Sequence, residues 1–74
     1  MWNIIKRREF ATMFYCTEGD YRMWVIEHPN EYEVVVYDLS SKGIAPVFNK
    51  GGYATFYEAS EAAKLALHDI RDAN

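Results

Sequence analysis

Tyr21-Arg22-Met23-Trp24-Val25-Ile26-Glu27, His28-Pro29-Asn30-Glu31 and Tyr32-Glu33-Val34-Val35-Val36-Tyr37-Asp38-Leu39 follow one another without a break. The first and third stretches are rich in β-branched and aromatic residues, which suit a pleated, half-buried surface. Between them Pro29 pre-sets φ for a turn, and Asn30 tolerates the position that follows. The sequence predicts two antiparallel strands joined by a four-residue loop, with Glu27 opposite Tyr32. Apolar residues stand on both faces of this pair, so both faces need cover.

The same punctuation continues outward. Upstream, Phe10-Ala11-Thr12-Met13-Phe14-Tyr15-Cys16 reads as a strand ending at the polar loop Thr17-Glu18-Gly19-Asp20, which places Cys16 opposite Tyr21. Downstream, Ser40-Ser41-Lys42-Gly43 closes the pair. A weaker fourth strand runs from Ile44 to Phe48, where Pro46 lacks a donor and so favours an edge. Asn49-Lys50-Gly51-Gly52 then breaks the pattern. Thr55-Phe56-Tyr57-Glu58 has the form of a capping box, in which each side chain satisfies a free backbone donor of the other. Residues 56–72 contain no Gly or Pro and carry alanines at 59, 62, 63 and 66, which predicts a helix. Phe56, Ala59, Ala63, Ala66, Leu67 and Ile70 share one face of it at 100° per residue.

The fold expected is α+β: an antiparallel three- to four-stranded β-meander followed by one C-terminal helix on one face, β-β-β(-β)-α. It forms a single domain over 1–74, with an N-terminal segment at 1–9, strands within 10–48 and the helix at 55–72. One helix dries only one face of a sheet. In this register Phe14, Met23 and Val36 form a row, with Val25 and Val34 beside them, and this face has little charge at its centre. It is assigned to the helix. The opposite face carries Met13, Trp24 and Val35 in a row, then Tyr15, Arg22 and Tyr37.

Composition narrows the function classes. The chain has 74 residues, half of them hydrophobic and 16% aromatic, too apolar for a disordered tail. No apolar run approaches the roughly 20 residues of a membrane span, so no membrane partner is expected. Near the start, Lys6, Arg7 and Arg8 follow the short apolar stretch instead of preceding it, the wrong order for a signal peptide. With the single Cys16 this points to a reducing cytoplasm. A formal charge of -3 and a pI near 5.2 argue against binding through a phosphate backbone.

Chemistry finds little support. His28 precedes a proline in a turn, His68 lies on the polar flank of the helix, and neither has metal-ligand spacing with Cys16. Gly51-Gly52 lacks the other residues of a phosphate loop, and no serine sits in a nucleophile elbow. No metal, cofactor or catalytic residue is assigned, and the chain is expected not to be an enzyme. The binding residues assigned are Met13, Tyr15, Arg22, Trp24, Val35 and Tyr37 on the second sheet face. Leu65 on the outer helix face is added, within a rim of Glu58, Glu61, Asp69 and Asp72. Trp, Tyr and Arg are the side chains enriched at interface hot spots, and an Arg between aromatic rings is held by cation–π attraction. Three occupants compete for the sheet face: a protein partner, a second copy in a homodimer, or the chain's own Trp2, Ile4 and Ile5 folded back over it.

In outline this architecture resembles several small modules, among them the arm-binding domains of phage integrases, double-stranded RNA-binding domains, and the small acidic accessory proteins with which phages block host enzymes. The likeness is one of architecture, not of residues. Small size, acidity and an aromatic sheet face fit the last group best. The reading is a non-enzymatic protein-binding domain, an inhibitor or adaptor of a larger protein. The alternative is a small nucleic-acid-binding module using the aromatic face with Lys6, Arg7, Arg8 and Arg22.

Overall fold

A computed structural model describes residues 2–5, 12–40 and 45–73. Five antiparallel strands form one meander in chain order: β1 (Asn3–Ile5), β2 (Met13–Glu18), β3 (Tyr21–Glu27), β4 (Tyr32–Asp38) and β5 (Phe48–Tyr53). A helix, α1 (Phe56–Ala73), follows. The α+β class stands, with one strand more than the upper count expected.

The extra strand comes from the N-terminal segment. β1 pairs with β2, Ile4 opposite Phe14, so this segment extends the sheet in its plane and does not fold over the aromatic face. Trp2 lies on the helix side, its ring 5.8 Å from that of Phe56. At the other edge, the stretch 49–52 taken for a break is most of β5, and the described residues before Phe48, including Pro46, lie outside the strand. Tyr32 pairs with Tyr53 and Val34 with Lys50, so β5 carries one residue more than β4 between these pairs. Gly52 has φ 88°, a conformation that costs glycine nothing, and this lets the strand absorb the extra residue as a bulge. Pairing with β4 makes a strand of a sequence whose local signal is a turn.

The loop between β3 and β4 is the four-residue turn expected, with Glu27 opposite Tyr32 and the His28 amide donating to the Glu31 carbonyl. The preceding turn is tighter. β2 continues through Thr17 and Glu18, Glu18 pairs with Tyr21, and only Gly19-Asp20 turns the chain. Gly19, at φ 57°, supplies the positive φ that a Gly-first two-residue hairpin turn requires. Cys16 therefore lies opposite Met23, not Tyr21. The shift is two residues, so each side chain keeps its face and only the rows change.

The core lies between the sheet and α1. Met23, Val25, Val34 and Val36 are fully buried, with Cys16 beside them, against Ala59, Ala63 and Leu67 of the helix. Small alanines let the helix backbone approach the valines closely, and Phe56 closes one end, 4.6 Å from the Phe14 ring. Glu58 N donates to Thr55 Oγ1, while Glu58 Oε2 accepts from Ala54 N, one residue before the donor a standard capping box would satisfy. Ser60 is buried as well, its hydroxyl spent on the Tyr57 carbonyl one turn earlier. At the far end Arg71 reaches over the Tyr21 ring and donates to the Glu18 carbonyl, tying the helix terminus to the β2–β3 hairpin.

Candidate functional site

Alternation along each strand sends one set of residues to the helix and the other to the open side of the sheet. On the open side the register places Thr17, Arg22 and Tyr37 in one row. Asn3, Tyr15, Trp24, Val35 and Asn49 form the next, and Ile5, Met13, Ile26 and Glu33 the third. The six sheet residues assigned from sequence share this face, in corrected rows: Trp24 stands between Tyr15 and Val35, not between Met13 and Val35. No described residue of α1 packs there.

The centre of the face is aromatic. The Tyr15 and Trp24 rings lie 5.1 Å apart at 41°. Arg22 Cζ sits 5.2 Å from the centre of the Tyr15 ring, and Arg22 Nε donates to Thr17 Oγ1 at 2.9 Å. The guanidinium is thus held by one ring and one hydroxyl, instead of between two rings. Beside it Met13, Trp24, Ile26, Val35 and Tyr37 line a shallow depression of about 250 Å³. Ile26 is the lining residue absent from the set assigned from sequence, although alternation places it on the same face as Trp24. At the opposite end from Arg22, Glu33 Oε1 lies 2.8 Å from His28 Nε2. A more open depression of about 510 Å³ continues there over His28, Pro29, Asn30 and Glu31.

The other assigned position stands apart. Leu65 is 63% exposed on the outer face of α1, and Tyr57, which the sequence did not single out, is 70% exposed a little over two turns earlier. The structure does not bring either to the sheet face. Lys6, Arg7 and Arg8 lie outside the described residues, so of the alternative nucleic-acid set only Arg22 is placed. Glu27 Oε2 accepts a 2.9 Å hydrogen bond from the Tyr32 hydroxyl on the helix side of the sheet, and this bond, with burial and the carboxylate's charge, raises the phenol above its ordinary pKa. Among the described residues no group of His, Cys, Asp and Glu is arranged to hold a metal ion. No described helix is long and apolar enough to cross a membrane.

No protein-family model, curated protein or solved structure matches this chain.

Proposed function

We propose that this domain is a non-enzymatic binding protein that docks a protein partner on its open sheet face, as an inhibitor or adaptor of a larger protein. The observation that carries the reading is the Tyr15–Trp24–Arg22 cluster beside an apolar depression, on a face that α1 leaves uncovered. Trp and Arg held in place before binding lose little side-chain entropy on docking, which is what makes such residues effective anchors. The acidic composition supports a protein partner over a phosphate backbone, and Arg22 is the one cation that the register places on this face among the described residues.

Affinity capture from the source cell, with the full chain as bait, tests this. The expectation is a protein held by the wild type at low and high salt and lost with Arg22→Ala, while Leu65→Glu retains it. Capture unchanged by Arg22→Ala argues against the face. A nucleic acid in its place, released steeply as salt rises, argues for the phosphate-binding alternative.

A further inference from the structure

Among the described residues the open face is electrically lopsided along the strands. Among these residues its register places one cation, Arg22, and one anion, Glu33, whose Oε1 also meets His28 Nε2 at 2.8 Å, with Trp24 and Val35 between them. Arg22 pairs with Tyr37 and Glu33 with Ile26, two rows apart, so the charges are separated by about 13 Å along the strands and one strand spacing across them. A surface with opposite charges at opposite ends of an apolar centre is complementary to itself.

We propose that the occupant of this face in the free protein is a second copy of the chain. Two sheets pack face to face about a two-fold axis that lies in the interface, runs across the strands and passes over Trp24. This rests on reading the open face as a docking surface, and adds what docks there first. The choice of axis follows from the charges. An axis across the strands exchanges the two ends, bringing Arg22 over the partner's Ile26 and within reach of the partner's Glu33, twice by symmetry. An axis along the strands would set Arg22 against the partner's Arg22 and Glu33 against the partner's Glu33, at a cost in repulsion. Trp24 and Tyr15 lie on the chosen axis and meet their own copies. Sheets in such sandwiches stand about 10 Å apart, a gap that the Arg22 side chain spans readily.

Area sets the strength. Four strands about 4.8 Å apart, contacted over about 20 Å of their length, with about 10 Å of the three-residue β1, give a footprint of roughly 430 Å² per copy. The total, about 900 Å², lies at the weak, transient end of specific interfaces, so the dimer is expected to form at tens of micromolar and above and to open at about 1 µM. A protein target would compete with the second copy for Trp24.

Sedimentation velocity on the full chain tests the arrangement. The wild type is expected to be a dimer at about 200 µM and a monomer near 1 µM. Arg22→Glu leaves acid at both ends of the face and Glu33→Arg leaves base at both ends, so each alone should weaken self-association by about tenfold or more. An equimolar mixture of the two variants restores both pairs and should recover the wild-type dimer. An unfolded variant cannot be rescued by mixing, so recovery is unambiguous. If circular dichroism shows either reversal to be unfolded, Arg22→Gln and Glu33→Gln replace them, each expected to weaken the dimer by about threefold or more. A wild type that stays monomeric at the higher concentration overturns the dimer, as does a dimer indifferent to both substitutions. Folded reversals that mix without gain also overturn it. The docking reading falls separately, if the Arg22→Ala bait captures the same protein as the wild type at concentrations where the free chain is monomeric.

Discussion

Arg22 illustrates how one residue separates binding from folding. Its contacts, the Tyr15 ring and the Thr17 hydroxyl, are all on the open face. Truncating it exposes no core, so Arg22→Ala should shift stability by no more than about 0.5 kcal/mol in denaturant melts. Loss of a central Arg anchor should nonetheless cost about 2 kcal/mol or more of partner binding by titration calorimetry. Trp24→Ala should weaken binding likewise, with an added loss of stability, because the indole also covers part of the sheet. Tyr32 is a residue-scale case of pH dependence. Its pKa is raised in the folded state, first by the hydrogen bond to Glu27, so the stabilisation is complete below the ordinary tyrosine value and is lost as pH rises through the raised one. Wild type should therefore melt above Tyr32→Phe at neutral pH, and the gap should close only above about pH 10.

At the scale of the element, α1 shows how a helix is fixed at its start and along one stripe. Thr55 Oγ1 accepts from the Glu58 amide, and Thr55→Ala should cost about 1 kcal/mol by leaving that donor to water. Ala63 is fully buried against the valines of β3 and β4, with no room and no partner for a charge. Ala63→Glu should cost several kcal/mol, or unfold the domain, whereas Leu65→Glu two residues on should leave the melting temperature within a degree or two. Urea melts of both variants check the assignment; a harmless Ala63→Glu would mean the buried stripe lies elsewhere. The strands follow the same logic at the sheet edge. An added Cβ at Gly51 would come within 2.7 Å of Glu31 Oε1, the end of an exposed side chain, so a small substitution there need only turn that carboxylate aside.

For the molecule as a whole, a chain of 74 residues holds a thin layer of core between one sheet and one helix. Domains of this size are stable by roughly 4–11 kcal/mol. Met23 is the largest of the fully buried side chains, and its truncation to Ala should cost about 2–5 kcal/mol. Met23→Ala thus removes a large share of the total, and its urea midpoint should fall far more than that of Trp24→Ala on the opposite face. The reverse order would exchange the roles of the two faces. Covering one side of the sheet with α1 is also what leaves Tyr15, Arg22 and Trp24 together on the other.

Period and composition alone determined the α+β class, the helix with its cap and buried stripe, and the division of β2, β3 and β4 into a helix face and an open face. These are local properties: alternation by two and by 3.6 is written along the chain, and a register shift of two residues leaves it intact. Tertiary structure decided the rest. β1 is three residues long and becomes a strand only by pairing with β2. β5 contains Asn49, Lys50, Gly51 and Gly52, poor strand formers that the exposed edge of β4 recruits. The hairpin at Gly19-Asp20 runs two residues further than its polarity suggests, since Thr17 and Glu18 extend the ladder into water where no burial pattern marks them. That extension set which residues meet across strands, and so placed Trp24 beside Tyr15, Arg22 against Thr17, and Ile26 in the depression. Cross-strand neighbours are fixed by where the chain turns back, and that depends on hydrogen bonds between segments that no single segment encodes.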